Sequence, residues 1–171
     1  MWNSQVIIML LEGIRDTLYM TLASTLFGYI IGLPMGIVLT VTDKDGIRPN
    51  AAVYKVLDVI SNLLRSIPFI ILLIVLIPFT RFVVGRSYGS TATIVPLTIA
   101  AAPYIARMVE SSLKEVDAGV IEAARSMGAS DFQIVTRVML VEARTSLIVG
   151  ATISLGTILG YSAMAGTVGG G

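Results

Sequence analysis

Residues 17–41 carry no charged side chain. At 1.5 Å of rise per helical residue, that run is long enough to cross a hydrocarbon layer about 30 Å thick, with some tilt. The composition agrees. Hydrophobic residues make up 55% of the 171-residue chain and charged residues 13%, against about 25% charged in an ordinary soluble domain. The reading is therefore an all-α, polytopic membrane helix bundle forming a single domain over 1–171.

Four spans are expected, at 17–41, 54–79, 91–109 and 144–164. In the first, Gly28, Gly32 and Gly36 stand four apart. Small residues at that spacing let two helix backbones approach closely in lipid, so these mark a packing face. Pro34 in the same run suggests a kink. The second span holds Asp58, Asn62 and Arg65 in its first half and Pro68 after them. Charges inside a span are costly and face a bundle interior, a partner or water. Two roles are open for Asp58 and Arg65, which are two helical turns apart: seating that end at the interface, or lining a pathway or gate. The third span contains Pro96 and Pro103 and ends at Arg107 and Glu110. From Thr145 onward the chain is uncharged and rich in Gly, Ser, Thr and Ala, which suits a packed helix beside a polar route. Residues 3–19 read as an amphipathic lead-in near the membrane surface. Residues 1–11 lack the basic start of a signal peptide and run into Glu12, Arg15 and Asp16 rather than a cleavage site.

Several function classes are disfavoured at once. A net charge of +1 gives no nucleic-acid footprint. The chain has no cysteine and no histidine, so the usual transition-metal ligands and the commonest general base are missing. No G-x-x-x-x-G-K-[ST] sequence is present to cradle a nucleotide. Lys44, Arg48 and Lys55 follow the first span, and Arg107, Lys114, Arg125, Arg137 and Arg144 lie at or after the end of the third. Only Arg15 precedes the first span, and only Arg81 and Arg86 lie between the second and third. The positive-inside rule then puts the N-terminus outside and the stretch after the third span in the cytoplasm.

That stretch, 117–142 (DAGVIEAARSMGASDFQIVTRVMLVE), is the one long polar-rich interval of the second half. Asp117 is a good N-cap, and Val120, Ala123 or Ala124, and Met127 recur at helical spacing. Gly128 stands where a helix stops, and Ser130 with Gln133 makes a capping box for the next one. The prediction is a short helix, a glycine turn and a new helix, with a coupling loop spanning about 114–133. On these residues alone, a docking element and an ordinary amphipathic surface helix are both open.

Glu122, Ala123, Ala124, three residues, Gly128, nine residues, then Val138 and Leu140 resemble the EAA motif of permease subunits of bacterial ABC importers. Val141 stands where that family carries proline. FGYIIGLPMGIVL (27–39), LLRSIPFIILLIVLIPFTRFVVG (63–85), ATIVPLTIAAAPYIARMVESSL (92–113) and GYSAMAGTVGGG (160–171) are similar to the methionine-importing branch of the family, so the resemblance covers nearly the whole chain. It implies a type I ABC importer permease fold. It implies a homodimer of permeases around a path for D- or L-methionine, with an extracytoplasmic binding protein or lipoprotein delivering substrate. It also implies two cytoplasmic ATPase subunits, which bind the ATP and Mg; no cofactor is expected in this chain, and the chain itself is not an enzyme. Family members carry a further helix after the glycine-rich stretch, so this chain reads as lacking its last helix. The residues expected to dock the ATPase are Glu122, Ala123, Ala124 and Gly128, with Val120, Ile121 and Met127 as apolar contacts. Tyr161, Met164 and Arg65 are the pathway or gate candidates. The alternatives are another amino acid or a small peptide as substrate and, from other classes, a membrane scaffold or an intramembrane enzyme.

Overall fold

The structure, a computed structural model, describes residues 4–169. Asn3, at the start of the expected lead-in, and Gly170 and Gly171, at the end of the glycine-rich stretch, lie outside the described residues. Helices make up the whole architecture and no strand occurs among the described residues. Helix α1 runs Ser4–Thr42, α2 Ala51–Ser66, α3 Phe69–Val75, α4 Ile77–Val84 and α5 Ser90–Lys114. Then come α6 Ala118–Ser126, α7 Asp131–Gln133, a π-helical segment Ile134–Met139, α8 Leu140–Glu142 and α9 Arg144–Ala165. Three of these, α1, α5 and α9, are long and apolar enough to cross a membrane, and the bent pair α2 and α3 brings the number to four if it counts as one span.

The centre of the bundle is α5, with Leu97, Ile105 and Ala106 fully buried. Against it lies α1, running parallel. Asp16 meets Ser90 at one end and Asp43 meets Lys114 at the other. Between those points the buried stripe of α1 is Thr21, Ser24, Gly28, Gly32 and Gly36. A Cβ on Gly32 would sit 2.6 Å from the Ala102 carbonyl oxygen, and one on Gly36 2.5 Å from that of Ala106. The glycines are therefore the contact surface itself. Helix α1 is continuous through Pro34, and it is continuous from Ser4. The expected surface lead-in is thus the first part of one 39-residue helix, because nothing between 4 and 17 caps or breaks it. At about 58 Å it exceeds a hydrocarbon core.

The second expected span, 54–79, forms three pieces. Helix α2 stops at Ser66, and α3 leaves at 103° to it. Pro68 is the cause. It excludes the helical conformation from the residue before it, and Ile67 is extended at φ −83°, ψ 124°. The Pro68 carbonyl then accepts the amides of Ile71 and Leu72 and starts α3. In α9 the small and polar residues Gly150, Ser154, Ser162 and Ala165 face inward with Ile158. Ser146, near the start of α9, donates to Ser112 of α5 at 3.0 Å. Ile148, Val149 and Ile153 face away from the bundle. Within this chain the small residues make the packing seam, and the apolar residues are left for lipid or a partner.

Gly32→Ala is expected to lower stability by about 1–3 kcal/mol through overpacking. Gly13→Ala, whose Cβ would meet nothing within 4 Å, is expected to leave stability unchanged or raise it by a few tenths of a kcal/mol, because alanine is the better helix former. Thermal unfolding of the purified variants in detergent compares the two, and equal midpoints would contradict the close-contact account.

Candidate functional site

The polar interval folds as its signals dictate. Asp117 caps α6, its carboxylate accepting the Gly119 amide at 2.7 Å. The helix ends at a glycine with φ +84°, Gly128. The Ala129 amide donates to the Ala124 carbonyl and the Gly128 amide to that of Arg125, the paired bonds of a Schellman terminus. Two residues on, the Ser130 hydroxyl accepts the Gln133 amide while the Gln133 side chain accepts the Ser130 amide, a complete capping box. The π-helical segment follows at once and Ala143 turns before α9. The backbone irregularity here is carried by that widened turn, with Val141 just beyond it in α8. Segments of this kind recur at functional sites.

Seven residues were expected to dock a partner, and the structure divides them by exposure. Ala124 is buried and Ile121 half-buried, both packed against Leu113, Ile134 and their neighbours in the core. They hold α6 onto the bundle. Val120, Glu122, Ala123, Met127 and Gly128 are exposed. Met127 is 82% exposed, and so, at 76%, is Phe132, a residue the motif does not include. Its signal was available: it is the only aromatic side chain in 117–142. An apolar side chain left this open beside a rigidly capped helix is available for a partner.

Arg125 fastens α6 sideways. Its guanidinium donates to the Ile47 carbonyl at 3.1 Å and lies 3.7 Å from the Asp131 carboxylate. A cavity of about 440 Å³ remains between α6 and the ends of α1 and α5, lined by Asp43, Lys114, Glu122 and Met139 among others.

Directly above α6, an unbroken chain of charges joins three elements. Arg107 of α5 binds the Asp58 carboxylate of α2 and, at 2.7 Å, the Glu110 carboxylate. Lys114 bridges Glu110 and Asp43, both at 2.7 Å. The Tyr54 hydroxyl donates to Glu110 at 3.1 Å, and Arg107 also reaches Asn62. Glu110 is only 4% exposed, so its charge is tolerated because every oxygen is matched. Lys114 holds the Asp43 carboxyl below its ordinary pKa by hydrogen bonding to it. Sequence spacing could not reveal this cluster, since Asp58 and Arg107 are 49 residues apart. Through it Asp58 joins α2 to α5.

The gate candidates are not brought together in the same way. The Tyr161 ring stacks on Phe69 of α3 with centroids 4.9 Å apart, and belongs to a core with Met20 and Leu97. Met164 is 44% exposed. Arg65, in the last turn of α2, is exposed and makes no ion pair among the described residues. Among the described residues no group of three or more acidic, cysteine or histidine side chains is arranged to hold a metal.

Comparison with known proteins places this geometry. The profile of the family "Binding-protein-dependent transport system inner membrane component" matches residues 8–171. The chain is 54% identical over 158 residues to the D-methionine transport system permease protein MetI of Salmonella typhimurium, covering 92% of this chain and 73% of that protein. It is 45% identical over 163 residues to a probable D-methionine transport system permease of Vibrio cholerae, covering 95% and 72%. Among solved structures, an inward-facing form of the MetNI methionine ABC transporter superposes with a TM-score of 0.97 at 52% identity, over 99% of this chain and 79% of that one. An amino acid ABC transporter with histidines shares the fold at a TM-score of 0.66 and 22% identity, over 99% and 78%.

Glu110→Ala is expected to destabilise the bundle by about 3–5 kcal/mol, because it leaves Arg107 and Lys114 short of a buried partner. The double replacement Arg107→Met with Glu110→Leu is expected to recover a substantial part of that loss. Denaturation of all three proteins by the same protocol provides the measurement, and a Glu110→Ala protein of normal stability would mean the cluster holds nothing.

Proposed function

The chain belongs to the family of binding-protein-dependent transport system inner membrane components, and from that premise we propose that it is the permease subunit of an ATP-driven importer for D- and L-methionine. Two copies line the path, two ATPase subunits bind beneath them, and a binding protein delivers substrate from outside. ATP and Mg are held by the ATPase. The substrate assignment draws its support from the 54% identity to a D-methionine permease.

The single observation that carries the coupling role is the construction of α6. Its inner face, Ala124 and Ile121, is fixed to the core, and its outer side presents Val120, Ala123 and Met127, with Phe132 beyond the turn. Small residues at 123 and 124 keep the helix slim enough for a groove, and Glu122 offers a charge at the groove's edge. A push on such a helix cannot be absorbed locally, because both its ends are hydrogen-bonded shut. It passes through Lys114, Glu110 and Arg107 to α5 and α2. The bend between α2 and α3 is then the place where the cytoplasmic half of the path moves relative to the outer half, where Tyr161 stacks on α3.

Orientation follows from the two ends of the bundle. The loop after α1 is tied to Lys114 and Arg125, so both strongly basic stretches share one end. Arg15 and Arg86 meet at the other. The positive-inside rule places α6 in the cytoplasm and the N-terminus outside.

Ala123→Arg, at an exposed position, is expected to weaken ATPase binding by about thirtyfold, the scale of one interface hot spot. Co-purification and titration of the ATPase onto folded permease measure this; undiminished association would refute docking through α6. Uptake of labelled L-methionine by cells carrying the complete transporter is expected to be suppressed by excess unlabelled D-methionine. Suppression by another amino acid or a dipeptide, with D-methionine inert, would move the substrate assignment within the family.

A further inference from the structure

Toward the end of the bundle opposite α6, two cavities lie side by side. One, of about 520 Å³, is polar and is lined by Arg15, Asp16, Arg86 and Ser90. The other, of about 490 Å³, is a groove between α1, α4 and α5 walled by Phe27, Ile31, Phe79, Val83 and Ile99. Tyr19 and Thr91 line both, so the polar chamber and the apolar groove adjoin.

Charge and depth together define what fits. In the polar chamber Asp16 is fully engaged, with one oxygen on Arg15 and the other accepting from Ser90 at 2.8 Å. Arg86 is exposed and makes no ion pair among the described residues. Two guanidinium groups against one occupied carboxylate leave the chamber positive, and the fork of N–H groups on each suits a phosphate. The groove below follows α1 from Tyr19 to Ile31, a drop of about 18 Å at helical rise. That is close to the depth of one leaflet of a hydrocarbon core about 30 Å thick. A free anion would leave the groove empty, and a hydrocarbon without a charge would leave Arg86 unmatched.

We propose that these adjoining cavities bind one anionic phospholipid, with its phosphate between Arg15 and Arg86 and an acyl chain lying along α1 in the groove. The lipid completes the contact of α4 with the α1–α5 pair. Helix α4 is bounded by Gly85, with φ +80°, and is followed by Gly89, with φ +90°; its Phe79 and Val83 wall one side of the groove.

Native mass spectrometry of the intact permease–ATPase complex tests this, with palmitoyl-oleoyl phosphatidylglycerol or the corresponding phosphatidylcholine added to the detergent solution. The expected result is about fivefold greater retention of the glycerol lipid, the contribution of one arginine near an anionic headgroup. Arg86→Gln is expected to reduce its retention to that of the choline lipid, and Val83→Trp, which fills the groove from an exposed position, to abolish retention of both. Arg48→Gln, at the opposite end, is the control and retains the preference. Thermal unfolding confirms that each variant is folded. Equal retention of the two lipids by the unsubstituted protein, or a preference that survives Arg86→Gln, overturns the proposal. So does displacement of the lipid by inorganic phosphate alone, which marks a free-anion site, and so does a disulfide between two copies carrying Val83→Cys, which puts a second permease over the groove.

Discussion

The close approach of α1 to α5 is the constraint on which the rest of the bundle depends. Lipid tails are as apolar as the helix surfaces they surround, so burial of apolar area does little to hold two spans together; close packing must do it. Gly28, Gly32 and Gly36 bring the α1 backbone onto Ala101, Ala102, Ile105 and Ala106, close enough that a methyl group would strike a carbonyl oxygen. The parallel register of that seam decides which ends meet. It brings Asp43 to Lys114 at one end and Asp16 to Ser90 at the other. The segment that carries α6 and the polar chamber are placed by the same contact.

The charged cluster extends this logic to the end of the bundle against which α6 packs. An apolar seam resists separation but tolerates sliding. A buried carboxylate shared by an arginine and a lysine tolerates neither, since any shift leaves a charge unmatched. Arg107, Glu110 and Lys114 occupy the last turns of α5, immediately before Asp117 caps α6. These contacts thus lie where α5 ends and the chain turns into α6. The proline break after Ser66 lies at the C-terminal end of α2, and among the described residues no ion pair crosses it.

Much of this was legible in order along the chain. Local signals depend on neighbours a few residues away, so Asp117, Gly128, Ser130 and Gln133 act in the structure as their spacing indicates. The glycine stripe likewise packs as a stripe. Legibility failed where an outcome depended on a distant segment. The spacing of Asp58 shows only that Arg65 stands two turns on; its partner, Arg107, comes from a helix 49 residues away. Ala124 and Ile121 fall on the inner face because the core beneath α6 comes from α5 and the π-helical segment. Phe132 lies outside the motif, and only the folded loop leaves it open.

The sequence by itself determined that the chain is a helical membrane bundle, where the polar helix starts and stops, and which face of the first span is small enough to pack. Uncharged length, caps and periodicity are local properties, and a bilayer leaves them few alternatives. Only the tertiary structure decided which charges meet and which side of α6 is exposed. Those outcomes need two segments far apart in sequence to occupy the same place, and the α1–α5 seam is what puts them there.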